Sequence, residues 1–278
     1  MSCPQCFSGH KNPDTPKGRV EKIHGLSTYI AEPAEGTPVK GIVIIVPDAF
    51  GWEFVNNRIL ADHYASAGDF RVYLPDFMNG CAAPVWMMES MGILTGPGHM
   101  LSKPYHLVCT AYSFITFLTL NRGSVTWPRI TSFFKAVREN EGASLPIGTA
   151  GFCWGGKHVV NLADDAIKPS NSRPLVDAVF TAHPSNLAIP GEIEKVVKPI
   201  SLAVGDKDFV LNLKGVEDIK KIWAGKPDVD TEVKIYEGAG HGFGARADPN
   251  TKEAVRQAGE AETQAVDWFK KQFTKVVY

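Results

Sequence analysis

The stretch Thr149–His158, TAGFCWGGKH, follows an apolar run and sets three glycines around one thiol, Cys153. Gly151 and Gly155 stand two residues to either side of the cysteine, and Gly156 follows directly. A Gly-x-nucleophile-x-Gly pattern between a strand and a helix describes a turn so sharp that the flanking positions must be small. The central residue is held in a strained region of φ/ψ space with its side chain raised above the sheet. A helix opening at Trp154 would aim its N-terminal dipole at the sulfur and favour thiolate. The preceding segment, "LPIGTAGF", reads as the strand that such a turn requires.

Strand and helix signals alternate on both sides of the turn. "GIVIIVPDAFG" (Gly41 to Gly51) is a β-branched run closed by Pro and Gly, which predicts a strand buried on both faces. "VNNRILADHYASAG" predicts a helix with Gly68 as its C-cap, and "FRVYLPDF" predicts the next strand. "ITSFFKAVREN" is helical, and "LVDAVFTAHPS", "PISLAVGDKD" and "EVKIYEGAGHGF" predict three more strands. A terminal amphipathic helix is predicted over "AVRQAGEAETQAVDWFKKQF". This alternation implies an α/β fold built on a mostly parallel, doubly wound sheet flanked by helices. Residues 1–19 are expected to be a polar N-terminal segment and 20–278 a single domain. One region breaks the rhythm. From about 79 to 128 the chain is rich in Met and Trp, is interrupted by Gly96-Pro97-Gly98, and carries the apolar run Leu101–Leu120. It reads either as a helical insertion capping the site or as a crossover helix with a long lead-in.

Candidate partners for Cys153 come later in the chain, at successive strand ends. "SLAVGDKDFV" supplies Asp206 and Asp208, and "IYEGAGHGFGAR" supplies His241 in a glycine-rich loop. A hydrolytic triad in this kind of sheet runs nucleophile, acid, histidine. His183 in "AHPS" also ends a strand but precedes the acid, and so breaks that order. The Trp154 N–H, next after the nucleophile, is placed to stabilise an oxyanion.

The motifs "GFCWGG", "GDKD" and "HGF" together resemble the dienelactone hydrolase family of α/β-hydrolases, in its cysteine-nucleophile branch, from about Val20 to the C-terminus. The resemblance implies an α/β-hydrolase fold and a Cys153–Asp208–His241 triad, with Asp206 as the fallback acid. It implies a thiol-activating acid at Asp48 in "VPDAFGW", where bacterial members usually carry Glu, and an oxyanion hole completed by the Ala49 N–H. It also implies a substrate-binding arginine at Arg246. The family's second arginine has no counterpart in "NGCAAPVWMMES", which suggests a larger or less anionic substrate. The activity implied is cleavage of a lactone or activated ester through a thioester acyl-enzyme. The competing expectation is a catalytically silent scaffold that binds an apolar small molecule, and a third is a related acyl or carbon–carbon hydrolase.

Composition narrows the remaining classes. A net charge of −1 argues against a nucleic-acid surface or a polybasic membrane anchor. The apolar run at 101–120 contains Lys103, Pro104 and His106, so no membrane span is expected. The first residues lack the apolar core of a signal peptide, and five cysteines make no disulfide framework, so a reducing cytoplasm is expected. Cys3, Cys6 and His10 have ligand-like spacing but no second pair to complete a zinc site, so neither metal nor cofactor is expected. Cys81 and Cys109 read as packing residues. The expected partner is a small-molecule ester or lactone, with the chain a monomer or homodimer.

Overall fold

The computed structural model describes residues 4–277. The β-branched run forms β3 (Gly41–Val46), fully buried along its length, as two-sided cover requires. It lies between β4 (Phe70–Pro75) and β5 (Ile147–Phe152), both parallel to it. β6 (Ala178–Ala182), β7 (Ile200–Gly205) and β8 (Thr231–Tyr236) extend the parallel run beyond β5. On the far side, β1 (Arg19–Ile23) and β2 (Leu26–Ala31) form an antiparallel hairpin, and β2 pairs antiparallel with β4. The order β1-β2-β4-β3-β5-β6-β7-β8 makes an α/β-hydrolase fold, as the resemblance implied.

Two helical layers cover the sheet. Val43 and Ile45 pack with residues of α1 (Val55–Gly68) and α7 (Lys252–Phe273). The alternate residues Ile42, Ile44 and Val46 join the second core. That core is built by α4 (Gly123–Glu139), α5 (Trp154–Leu162) and α6 (Leu213–Ala224). Period-2 alternation in β3 thus divides one strand between two cores.

The sequence expectations need correction in places. Gly68 is the last helical residue of α1, and the left-handed cap is Asp69, at φ 58°. A Cβ on Gly68 would lie 2.2 Å from the Phe70 ring, so packing rather than capping explains that glycine. α4 begins seven residues before the predicted Ile130 and continues through Pro128. The insertion forms α2 (Trp86–Thr95) and α3 (Lys103–Leu120). The inner side of α3 places Phe114 and Phe117 edge-on against Phe7, while Tyr105, Val108 and Tyr112 face outward. No described helix is long and apolar enough to cross a membrane.

Candidate active site

Cys153 sits between β5 and α5 at φ 51° and ψ −110°, a backbone geometry that L-residues rarely adopt. Its neighbours show why glycine is needed there. A Cβ on Gly155 would come 2.0 Å from the Val46 carbonyl oxygen, and one on Gly151 would come 2.4 Å from Val159 Cγ2. The turn is anchored on both sides. The Gly155 N–H donates to the Pro47 carbonyl at 3.1 Å, and the Cys153 N–H donates to Ala182 at 3.3 Å. Trp154 is the first residue of α5, so its N–H has no acceptor within the helix. Ala49 lies in the loop after β3, beside the Pro47 that holds the elbow.

The candidate acid and base, Asp208 and His241, follow the ends of β7 and β8. Asp208 Oδ2 accepts a hydrogen bond from His241 Nδ1 at 2.9 Å. Its other oxygen is held by the Val210 and Leu211 N–H groups at 2.8 and 3.2 Å. Asp206 instead accepts from the Gly238 N–H at 2.7 Å and pairs with Lys207, so it is a turn residue. The far ring nitrogen of His241, Nε2, lies 3.4 Å from Ser185 Oγ, which lies 3.3 Å from Cys153 Sγ. Ser185 is itself fixed by its own N–H, which donates to the Cys153 carbonyl at 2.9 Å. His183 packs edge-on behind His241, with ring centroids 5.2 Å apart, and burial holds its pKa well below the ordinary value.

Asp48 and Arg246 form a fully buried ion pair. Asp48 Oδ1 also accepts from the Phe50 N–H at 3.1 Å and from Asn57 Nδ2 at 3.0 Å. Arg246 Nε donates to the Ser8 carbonyl at 2.8 Å, and the guanidinium lies 5.5 Å from the Phe50 ring centroid. Both charges act on the Cys153 thiol, and both side chains are sealed from solvent.

One residue of the site was weighed in the sequence only as a metal ligand. Cys6 is wholly buried, 3.4 Å from Ser185 Oγ and 3.7 Å from His241 Nε2. The ligand atoms of Cys6, Cys153 and His241 all lie within 4.8 Å of one another. His10 points away, is exposed, and lies 3.8 Å from Asp248, while Cys3 lies outside the described residues. Ser185 was also missed. Its signal was its place in "AHPS" at a strand end, where attention falls on the histidine.

These contacts set the electrostatics. Burial pushes the Cys153 thiol up, but the Cys6 contact, the Arg246 charge and the Ser185 hydroxyl together bring it below its ordinary value. Burial pulls His241 down, yet the bonds to Asp208 and Cys6 prevail and raise it to about 9. A thiolate beside an imidazolium is the charge state these shifts favour.

The chain matches the dienelactone hydrolase family over residues 26–273. It belongs to that family. Dienelactone hydrolases cleave esters or lactones, and this chain is a hydrolase of that class. It is 28% identical over 271 residues to hydrolase tropI of Talaromyces stipitatus, covering 97% of this chain and 95% of that one. The human carboxymethylenebutenolidase homolog is 24% identical over 272 residues, covering 97% and 96%. The fold resembles that of a dienelactone hydrolase from Anabaena variabilis, with a TM-score of 0.56 and 15% identity over 93% and 98% of the two chains. It also resembles Thermogutta terrifontis esterase 2, with a TM-score of 0.61 and 12% identity over 93% and 96%.

Proposed function

We propose that this dienelactone hydrolase opens a lactone or activated ester by acyl transfer to Cys153. The observation that carries the reading is the positive-φ elbow, which raises a buried thiol toward an imidazole held by a buried carboxylate. The thiolate attacks the carbonyl, and the Trp154 and Ala49 N–H groups receive the developing oxyanion. His241 protonates the departing enolate or alkoxide, then takes a proton from the water that cleaves the thioester. Asp208 fixes the imidazole with Nδ1 protonated and supports its positive charge. Arg246 supports the thiolate by its charge, and Asp48 holds that cation in place. A substrate carboxylate reaches Arg246 only once Ser8 withdraws.

Thiolate is a good leaving group, so the tetrahedral intermediate goes forward only when the substrate's own leaving group is comparably good. Enol lactones and aryl esters satisfy this, and amides do not. The name of the human relative, a carboxymethylenebutenolidase homolog, supports the enol-lactone class.

The test is p-nitrophenyl acetate hydrolysis by wild type, Cys153→Ala and His241→Ala, with intact-mass analysis after mixing. The expected result is an acetyl adduct on Cys153 that accumulates in His241→Ala, and no turnover in Cys153→Ala. Full activity in Cys153→Ala, or faster cleavage of simple peptides than of the aryl ester, overturns the reading.

A further inference from the structure

The chain before β1 does more than lead into the domain. Residues 6–14 cross the mouth of the site as a strap. Phe7 is seated edge-on among Phe50, Phe114 and Phe117, at 6.2, 5.5 and 5.7 Å between centroids. Ser8 accepts from Arg246 Nε, and the His10 N–H donates to the Arg246 carbonyl at 3.2 Å. Asn56 completes the attachment, accepting from the Asn12 N–H at 2.8 Å and donating to the His10 carbonyl at 2.9 Å. Under this strap Cys153 is only 1% exposed. A cleft of about 720 Å³ lies on the outer side, between Ser8–Lys11 and α2.

Phe7 acts as a wedge that fixes the residue before it, and that residue is a second thiol. Acyl transfer needs one sulfur. Cys6 contacts the same Ser185 hydroxyl as Cys153, it also touches His241 Nε2, and the two sulfurs lie within 4.8 Å. A disulfide brings sulfurs to about 2.05 Å, so bonding requires a closure of less than about 3 Å. The strap must lift to admit substrate to so buried a thiol. The same opening admits a small oxidant, and reclosing brings Cys6 back onto Cys153.

The geometry points to a redox lock: Cys6 is the resolving thiol for Cys153, and a hydroperoxide joins the two in a reversible disulfide that fastens the strap shut over the site. In the first step the Cys153 thiolate attacks the peroxide, an S–O bond forms and the O–O bond breaks. The leaving oxygen takes a proton and departs as water or an alcohol. In the second step the Cys6 sulfur attacks the resulting sulfenic acid, S–S forms, S–O breaks, and the departing hydroxide takes the Cys6 proton as water. Two thiols have then supplied the two electrons that reduce the peroxide. The N-terminus of α5 and the Ser185 hydroxyl 3.3 Å from the sulfur favour the thiolate that the first step needs. Arg246 and His241 provide positive charge beside it.

The experiment uses the full chain, with chelator present throughout, treated with a small excess of hydrogen peroxide and then alkylated under denaturing conditions. Of the five cysteines, two are expected to be lost to alkylation. Before alkylation the intact mass should fall by about 2 Da, and digestion should yield a Cys6–Cys153 cross-linked peptide. Dithiothreitol should restore both mass and esterase activity. In Cys6→Ser, the same peroxide should add about 32 Da at Cys153, as sulfinic acid, and dithiothreitol should then recover less than about a tenth of that variant's starting activity. The proposal is overturned if oxidised wild type carries sulfinic acid at Cys153 with Cys6 still alkylatable. It is equally overturned if wild type and Cys6→Ser recover alike. Mapping the wild-type bond needs no variant to fold, and it needs no turnover. A cross-link in a protein without esterase activity would sink the acyl-transfer reading and leave the bond standing.

Discussion

The Ser185 hydroxyl stands between thiol and imidazole, 3.3 Å from Cys153 Sγ and 3.4 Å from His241 Nε2. It is in position to donate to a thiolate and to carry a proton between the two groups. A hydrogen bond to a charged partner contributes about 1.5–3 kcal/mol. Ser185→Ala should therefore lower kcat for an aryl ester by roughly tenfold to a hundredfold. The lost donor also destabilises thiolate, so the midpoint of iodoacetamide alkylation at Cys153 should move to higher pH. A residue that only filled space would leave that titration unmoved.

The Asp208–His241 bond makes a prediction about pH. His241 is raised to about 9 in the fold against an ordinary value of about 6.5 in an unfolded chain. A raised histidine contributes stability that is complete below the unfolded value and lost as pH climbs through the folded one. In Asp208→Asn the deficit in unfolding free energy should thus be largest below about pH 6.5 and shrink toward pH 9. Urea unfolding of wild type and variant at several pH values measures this, and a deficit growing with pH contradicts it. Aryl ester turnover should fall about 10⁴-fold in the same variant, because the imidazole loses the partner that sets its tautomer.

These relationships differ in how far the sequence exposed them. The elbow was legible because close backbone approach leaves only glycine at 151 and 155, a local demand that shows in local spelling. The parallel core was legible for a similar reason, since two-sided burial of β3 writes an unbroken apolar run. β1 was not, because an edge strand reading Arg-Val-Glu-Lys-Ile has no buried face to announce it. α6 carried a readable signal, with Val216, Ile219 and Trp223 on one buried stripe and Asn212 accepting from the Gly215 N–H at its start. The strap was hidden for another reason. Cys6 and Ser185 meet across 179 residues of chain, and spacing says nothing about contacts of that length. The resemblance implies a substrate-binding arginine at Arg246. Its burial against Asp48 depends on loops whose path no local pattern fixes.

That buried pair can be tested for stability and chemistry together. Removing one member leaves the other charge uncompensated, which costs about 3–5 kcal/mol for a buried pair. Arg246→Met should lower the urea midpoint accordingly, and adding Asp48→Asn in the same chain should recover part of the loss. The thiol gives a second readout. Arg246 lowers the Cys153 pKa and Asp48 opposes it. Arg246→Met should therefore move the alkylation midpoint upward, whether or not stability is restored. An unchanged midpoint would mean that the guanidinium serves packing alone.

The elbow itself sets the last expectation. At Gly155 an added Cβ meets the Val46 carbonyl oxygen at 2.0 Å and the Pro47 oxygen at 2.6 Å, both backbone atoms of β3 and its loop. Neither can yield without moving the strand that anchors the sheet or the loop that carries Asp48 and Ala49. Gly155→Ala should lose several kcal/mol, about what overpacking at a rigid contact costs at its upper end, and any folded fraction should lack esterase activity. Gly191→Ala is the matched control, since nothing lies within 4 Å of its added Cβ and its φ is not positive. It should stay within about 0.5 kcal/mol of wild type. Comparable urea midpoints for the two variants would show that β3 tolerates displacement at the elbow, and the strained turn could not then be the feature that fixes Cys153.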